Sequence, residues 1–132
     1  MTLVDTNVLL DVFNADAQWM AWSARQLHLA RSSQGLAINM VVYAELAGHP
    51  HCPKHLDAVL QSLEVEVLNV NRASAKLAGK AFYQYRQRGG QKSGVLPDFF
   101  IGAQAVSEGY RLLTRDAGRY KTYFPKIKLI SP

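Results

Sequence analysis

Two aspartates, Asp98 and Asp116, stand near the two ends of a mostly apolar stretch of the chain. Pro97 suits the first turn of a helix and Gly109 is a typical helix stop, so the segment between them is predicted to be helical. The apolar run at residues 110–114 then predicts a buried strand. A helix of about ten residues rises roughly 15 Å, and a strand of about five residues returning beside it spans roughly 16 Å. The two aspartates are therefore expected to lie close together at one end of the fold.

Two further acids occupy apolar surroundings elsewhere in the chain. Asp5 follows a predicted strand at residues 2–4. Glu45 lies in a predicted helix that Asn39 can cap and Gly48 can end. Open α/β sheets bind ligands beyond the carboxyl ends of their strands, which makes the position of Asp5 suitable for a functional site. Asp5 could instead only cap the next helix, and Glu45 could simply point outward, since burying an unpaired carboxylate is costly.

Acids gathered in one pocket would require a counter-charge. Two unit charges about 4 Å apart repel by about 4 kcal/mol at an effective dielectric of about 20, so a proton or a cation must lie between them. Ligand sets made only of oxygen favour Mg²⁺ or Mn²⁺ over zinc or copper. Such an ion can bind a phosphodiester oxygen and lower the pKa of a water molecule. The acids therefore indicate phosphodiester hydrolysis, with nucleic acid as the natural substrate of a basic protein.

The elements that must position these acids alternate between short apolar strands and amphipathic helices. Strands are predicted at residues 2–4, 36–38, 65–70, 110–114 and 127–130, and helices at residues 8–13, 18–32, 39–48, 55–63, 72–88 and 97–108. Residues 119–124 are predicted to be a basic and aromatic connection. This order is typical of an α/β fold, a three-layer α/β/α sandwich with a mainly parallel central sheet.

Composition agrees with a folded domain that has a polyanionic partner. The 132 residues fit one domain, residues 1–132, and the 48% hydrophobic content argues against disorder. The net charge of +5 favours a nucleic-acid partner without deciding the fold. The lone cysteine excludes an internal disulfide framework. Because the chain shows neither a signal peptide nor an apolar run long enough to cross a bilayer, a cytoplasmic protein with no membrane partner is expected.

Four stretches of the chain carry the acids together with characteristic neighbours. They are VDTNVLLD at residues 4–11, VVYAEL at 41–46, LPDFFIGAQA at 96–105 and LLTRDAGRYKTYFP at 112–125. Together they resemble the PIN-domain ribonucleases, and specifically the VapC toxins of bacterial toxin–antitoxin pairs. The resemblance covers essentially the whole chain. It implies a compact α/β/α sandwich and an endoribonuclease that depends on Mg²⁺ or Mn²⁺.

The resemblance also implies roles for individual residues. The four acidic positions of the family fall on Asp5, Glu45, Asp98 and Asp116. The three aspartates are expected to hold the metal ion, and the glutamate to ligate it or to orient the attacking water. Thr6, Asn7 and Thr114 stand in the same motifs and are expected to fix the orientation of the carboxylates. Asp11 is expected to be a solvated helix residue.

Two protein partners follow from the resemblance: a small antitoxin that wraps the toxin and obstructs its metal site, and a second copy of the chain in a homodimer. Trp19 and Trp22 are predicted to share one side of the helix at residues 18–32, and they could form part of an antitoxin groove. Most stripes of this kind belong to a core instead.

Cationic side chains lie before and after the last two acids. The candidates for contact with RNA phosphates are Arg86, Arg88, Lys92, Arg115 and Arg119. Three of them stand at or beyond the end of a predicted helix, next to a flexible glycine-rich loop at residues 89–94. A run of charges is usually only a solvated face, but the position beside the acids makes phosphate contact a reasonable alternative.

The loop at residues 49–55 allows a different metal site. It contains His49, His51, Cys52 and His55, which are residue types that bind zinc. Two prolines in the loop and the lack of a second Cys/His cluster favour a polar connection between helices instead.

Two other functions compete with the ribonuclease. A catalytically silent PIN-like module would bind nucleic acid or antitoxin without turnover, but the presence of all four acids argues against it. An aspartyl phosphatase could use Asp5 as a nucleophile. The haloacid-dehalogenase type would want a second aspartate two positions further on, where this chain has Asn7.

Overall fold

The computed structural model describes residues 1–92 and 94–132, and within them the chain forms five strands and seven helices. The strands are β1 (Thr2–Val4), β2 (Leu36–Asn39), β3 (Val65–Leu68), β4 (Arg111–Leu113) and β5 (Lys128–Ile130). The helices are α1 (Thr6–Phe13), α2 (Met20–Ser33), α3 (Met40–Ala47), α4 (Leu56–Ser62), α5 (Arg72–Gln87), α6 (Leu96–Glu108) and α7 (Gly118–Tyr123). Ser93, in the predicted loop at residues 89–94, lies outside the described residues.

The strands form one parallel sheet in the order β3-β2-β1-β4-β5. The central strand β1 pairs on both sides, with Leu3 opposite Ala37 of β2 and Leu112 of β4. All residues of β1 and β2 are buried, because a parallel sheet is covered by helices on both faces. The predicted α/β/α sandwich with a parallel sheet is confirmed.

The connections create a crevice at the centre of the sheet. From β1 the chain moves outward to β2 and β3, then returns to the other side of β1 to form β4 and β5. Because crossovers between parallel strands are right-handed as a rule, the helices after β1 and β2 are expected on one face and those after β3 and β4 on the other. The winding direction therefore reverses between β1 and β4. Sheets of this kind bind ligands at such a reversal, beyond the carboxyl ends of the strands.

Local side chains and backbone set the ends of the helices around this crevice. The Asp5 carboxylate accepts a hydrogen bond from the first N–H of α1, and the Asn39 side chain accepts one from Val42 in α3. Helix α6 has Pro97 in its first turn. It ends at Gly109, whose φ of 71° lies in the left-handed region that favours glycine. The predicted caps and stop of α1, α3 and α6 are confirmed.

An aromatic cluster anchors the start of α6 beneath the crevice. Phe99 has no exposed surface and packs against four other aromatic rings with centroid separations of 5.3–6.2 Å. These rings belong to Phe82, Tyr85, Tyr123 and Phe124. The residue before Phe99 is Asp98, so this packing also sets where that acid emerges.

Residues 118–123 differ from the sequence prediction. They form the helix α7, whereas residues 119–124 were predicted to be a connection without regular structure. Tyr120 and Phe124 are one helical turn apart and both are buried, which explains why the segment coils against α6. Strands β3, β4 and β5 are also shorter than predicted. Each helix in the described ranges is too short or too polar to span a bilayer.

Candidate functional site

A pocket of about 280 Å³ opens where the winding of the sheet reverses. It is lined by Asp5, Thr6, Asn7, Leu10, Glu45, Asp98, Asp116, Arg119 and Tyr120. All four acids that the sequence singled out are among these residues. They come from the end of β1, from α3, from the first turn of α6 and from the segment after β4. The fold thus collects acids from both ends and the middle of the chain.

Asp5 lies at the floor of the pocket and is surrounded by hydrogen-bond donors. Its side chain is 5% exposed. One carboxylate oxygen accepts from the backbone N–H of Thr6 at 2.8 Å. The other accepts from the Thr114 hydroxyl at 2.8 Å, the Tyr120 hydroxyl at 3.0 Å and the Asn7 amide at 3.4 Å. Thr6, Asn7 and Thr114 therefore contact this acid directly and hold its carboxylate in one orientation.

Burial dominates the ionisation of Asp5. It raises the pKa of the carboxyl group from 3.8 to about 6, because the charged form loses its hydration. The hydrogen bond from Thr114 opposes this shift, and the negative charge of Asp98 adds to it. The ionised form of Asp5 therefore lacks a compensating positive charge.

Glu45 and Asp98 each accept a hydrogen bond from a different donor, a neutral hydroxyl in one case and a cation in the other. The Thr6 hydroxyl donates to Glu45 at 2.7 Å, and the Arg119 guanidinium donates to Asp98. Partial burial raises the pKa of both carboxyl groups in spite of these donors. The charge of Asp98 also raises the pKa of Glu45, and the charge of Asp116 raises that of Asp98. The four acids therefore act on one another as a connected group.

Thr114 links the first acid to the last. It has no exposed surface, and its hydroxyl donates to Asp5 while accepting from the backbone N–H of Asp116 at 3.1 Å. This shared hydroxyl joins the carboxyl ends of β1 and β4. It fixes the start of the segment that carries Asp116 to the edge of the pocket.

The oxygen donors of the pocket match a hard divalent cation in chemical type. Within residues 1–92 and 94–132, no three His, Cys, Asp or Glu side chains lie close enough together to hold one metal ion. Glu45 and Asp98 are engaged by protein donors, Thr6 and Arg119. All four acids nevertheless offer oxygen atoms, the ligands that Mg²⁺ and Mn²⁺ prefer. The raised pKa of Asp5 indicates a deficit of positive charge that such an ion would offset.

Tyr120 also lines the pocket, although its sequence context predicted only that it lies in a connection between elements. Its ring is 2% exposed and its hydroxyl donates to Asp5. Burial and the charges of Asp5 and Asp98 raise the pKa of this phenol well above its ordinary value, so it stays protonated as a donor. The signal that could have found it is the spacing of Tyr120 and Phe124 just after Asp116, which on a helix places the two aromatic residues one turn apart.

The expectation that Asp11 is solvated is wrong. Asp11 is 3% exposed, and its carboxylate forms a bidentate ion pair with Arg115 at 2.8 and 2.9 Å. The Ser23 hydroxyl also donates to Asp11, at 2.6 Å. Asp11 lies on the face of α1 that turns toward α2 and the segment after β4. The pair therefore joins three parts of the fold beside the pocket.

The five cations predicted to contact RNA fall into two groups. Arg115 and Arg119 are paired with acids, Asp11 and Asp98 respectively. The Arg119 guanidinium also lies 5.9 Å from the centre of the Tyr85 ring. Arg119 lines the pocket itself, whereas Arg115 is not one of the residues that line it.

The other three cations are exposed and lie at the end of α5 or in the segment after it. Arg86 lies over the ring of Phe82 at 5.1 Å, and Arg88 over that of Tyr123 at 5.3 Å. Lys92 donates its backbone N–H to the hydroxyl of Tyr85. Aromatic faces thus hold the two arginines at the protein surface.

Trp19 and Trp22 lie edge to face with centroids 5.9 Å apart, and both are half-buried. Trp19 also covers the Arg115 guanidinium, 5.2 Å from the ring centre. In the loop at residues 49–55, which could have been a zinc site, the ring centroids of His49 and His51 are 5.4 Å apart. The Cys52 thiol donates a hydrogen bond to the Pro53 carbonyl. Among the described residues these His and Cys side chains form no three-ligand metal group.

The fold resembles solved structures of toxin–antitoxin complexes. A VapBC2 complex from Rickettsia felis bound to a promoter DNA fragment matches with a TM-score of 0.76 and 19% identity over 99% of this chain and 98% of that chain. A toxin–antitoxin complex from Klebsiella pneumoniae matches with a TM-score of 0.68 and 20% identity, over 98% and 96%. DNA-bound VapBC from Salmonella typhimurium matches with a TM-score of 0.71 and 19% identity, also over 98% and 96%.

At the level of sequence, one comparison finds no match and another identifies a protein family. Comparison with curated proteins finds no match to this sequence. The family model of the PIN domain, in contrast, matches residues 2–125, which is nearly the whole chain and includes all four acids of the pocket. The chain therefore belongs to the PIN domain family.

Proposed function

We propose that this protein is an endoribonuclease dependent on Mg²⁺ or Mn²⁺, and that it acts as the toxin of a toxin–antitoxin pair. The observation that carries the proposal is the convergence of four carboxylates, from four separate elements, on one pocket at the reversal of the sheet. Burial and mutual repulsion leave these acids in need of a cation. A net charge of +5 on the whole chain favours a polyanionic substrate.

The roles of the acids follow from their positions. Asp5, Asp98 and Asp116 would hold the ion, and Glu45 at the exposed rim would ligate it or orient the attacking water. A bound divalent ion would supply Lewis acidity and neutralise charge on the phosphate. Thr114 and Tyr120 keep the carboxylate of Asp5 oriented through their hydroxyls.

Cations around the pocket would guide the RNA backbone. Arg119 lines the pocket and is paired with Asp98. Its guanidinium group can exchange this partner for a phosphate oxygen of the substrate. Arg86, Arg88 and Lys92 are exposed nearby and would contact phosphates further along the strand. Such contacts position the nucleic acid without reading its sequence.

The toxin role is supported by the likeness to VapBC and other toxin–antitoxin structures over nearly the full chain. We propose that a cognate antitoxin covers the pocket and that two copies of this chain pair as a homodimer. The half-buried Trp19 and Trp22 would form part of the antitoxin contact. With RNA as the substrate, the protein would act in the cytoplasm.

One assay tests the nuclease. Purified protein, free of antitoxin, is incubated with a mixed RNA pool and Mg²⁺ or Mn²⁺, and the products are resolved by size. We expect cleavage that stops with EDTA and falls at least roughly a hundredfold in Asp98→Asn, because a lost metal ligand removes several kcal/mol of transition-state stabilisation. Asp57→Asn is the matched control, since Asp57 is an exposed acid of α4 whose carboxylate accepts a hydrogen bond from Tyr43 and does not line the pocket.

Three results would contradict the proposal. Full activity of Asp98→Asn would remove this acid from the site, and cleavage that persists in EDTA would remove the metal. A wild-type protein that binds RNA but leaves it intact would instead be the catalytically silent module.

A further inference from the structure

The Asp11–Arg115 ion pair does not line the pocket. Its two side chains share two hydrogen bonds, whereas Asp98 and Arg119 share one. Both carboxylate oxygens of Asp11 accept from the Arg115 fork, and one also accepts from Ser23. Asp11 is 3% and Ser23 0% exposed. A planar guanidinium matches a carboxylate in this two-point geometry, which a lysine cannot reproduce.

The pair connects to the pocket through the backbone. Arg115 stands between Thr114, which bonds to Asp5, and Asp116. Its N–H donates to the Asn7 side chain at 3.3 Å, and Asn7 in turn donates to Asp5 at 3.4 Å. The Arg115 side chain thus ties α1 to the same short segment that carries Asp116.

The segment that carries Asp116 begins at Thr114, whose backbone N–H donates to the Ile130 carbonyl at 3.0 Å and whose hydroxyl donates to Asp5. Residues 114–117 have no regular secondary structure and join β4 to the short helix α7. Asp116 itself is exposed, and its N–H is bonded to the Thr114 hydroxyl. A carboxylate on such a segment needs a rigid support if it is to act at a fixed distance from Asp5.

Trp19 completes the arrangement from the side of α2. Its ring lies 5.2 Å from the Arg115 guanidinium carbon and covers the face of the cation. The Arg115 side chain remains 30% exposed, and the cation–π contact with Trp19 favours this position of the guanidinium. The Arg115 side chain, which Trp19 covers, is therefore in a position to support the pocket.

We propose that Asp11 and Arg115 are positioning residues, a clamp that holds the Asp116 segment and Asn7 in place around Asp5. In this role Arg115 acts through Asp116 and does not bind RNA phosphates. The inference rests on the proposed nuclease function for its kinetic consequences. Its structural part, the support of residues 114–117 by α1, is independent of that function.

The variants separate the effect of the positive charge at position 115 from the effect of the hydrogen-bond geometry of the guanidinium. Arg115→Lys keeps the positive charge and removes the paired hydrogen bonds of the guanidinium to Asp11. A contact with an RNA phosphate would therefore largely survive, whereas the support of the Asp116 segment would be lost. The double variant Asp11→Asn/Arg115→Gln replaces the pair by uncharged hydrogen-bonding side chains and avoids an unpaired buried acid. Arg111→Lys is the matched control, because Arg111 lies at the opposite end of β4 and donates to Ser33 and Gln34.

Three measurements are made on each folded variant: kcat and KM for RNA cleavage, the Mn²⁺ dissociation constant without RNA, and amide hydrogen exchange at Asp116. For Arg115→Lys and the double variant we expect kcat to fall about tenfold or more, Mn²⁺ binding to weaken several-fold and exchange at Asp116 to accelerate, with KM within about twofold. Arg111→Lys should match the wild type.

A rise in KM with unchanged kcat and Mn²⁺ affinity would overturn the inference and make Arg115 an RNA contact. Unchanged exchange at Asp116 in both variants would overturn the clamp itself. If the wild-type protein neither cleaves RNA nor binds Mn²⁺, the nuclease proposal fails, and faster exchange at Asp116 in the variants still supports the clamp.

Discussion

The guanidinium group of Arg119 donates a hydrogen bond to a carboxylate oxygen of Asp98 inside the pocket that all four acids share. Both side chains keep some exposure, 25% for Arg119 and 31% for Asp98. This arginine opposes the burial and repulsion that raise the pKa of Asp98. It is thus a positive charge built into the place where a divalent ion is expected.

Removal of this charge should strengthen metal binding. In Arg119→Gln the Mn²⁺ dissociation constant, measured by calorimetry without RNA, is expected to fall roughly tenfold. A unit charge a few ångströms from a divalent ion opposes its binding by about 1 kcal/mol or more, even in a hydrated pocket. Lys121→Gln is the control, because Lys121 is an exposed cation of the same helix. Equal or weaker Mn²⁺ binding by Arg119→Gln would show that the two cations do not compete.

The buried carboxyl group of Asp5 should make the stability of the metal-free protein depend on pH. Its pKa is 3.8 in the unfolded chain and about 6 in the fold, so between these values the folded state holds a proton that the unfolded state has lost. This contribution is present below about pH 4 and is lost as the pH rises through about 6, by roughly 2–3 kcal/mol in total. The raised pKa values of Glu45 and Asp98 act in the same direction.

Urea unfolding in EDTA from pH 4 to pH 7 measures this effect. The free energy of unfolding of the wild type should fall relative to that of Asp5→Asn across the window, since the variant has no titrating group at this position. Parallel curves for the two proteins would mean that Asp5 does not take up a proton in the fold.

Gly102 should be required for the position of Tyr120. A Cβ atom at Gly102 would lie 2.6 Å from two ring carbons of Phe124 and 3.1 Å from a ring carbon of Tyr120. Gly102→Ala should therefore destabilise the protein by about 1–3 kcal/mol. It should also weaken Mn²⁺ binding, because displacement of Tyr120 disturbs its hydrogen bond to Asp5.

Gly79→Ala is the matched control for this prediction. Gly79 lies in α5, and a Cβ atom there meets nothing within 4 Å. Alanine should stabilise the helix by about 0.5–1 kcal/mol and leave Mn²⁺ binding unchanged. A Gly102→Ala protein as stable as the wild type would show that the rings of Tyr120 and Phe124 can move aside freely.

Much of this molecule is encoded locally. Apolar periodicity identified each strand of the sheet and six of the seven described helices, and Asn39 and Gly109 mark helix ends by the hydrogen bonding and backbone conformation of single residues. The exception is α7, whose six residues are too few for a periodic signal and which forms because Tyr120 and Phe124 pack inward. The acids of the site were recognisable by type and by neighbouring motif, and a parallel sheet brings residues that follow adjacent strands to one edge.

Only the tertiary structure decided which partner each polar side chain has. Asp11 and Arg115 are 104 positions apart, so the burial of that aspartate depends on how α1 packs against α2 and on where the chain emerges from β4. The pairing of Arg119 with Asp98 and the bond from Tyr120 to Asp5 arise in the same way. Local periodicity determines which face of an element is apolar. It does not determine what another element, remote in sequence, presents to a polar group on that face.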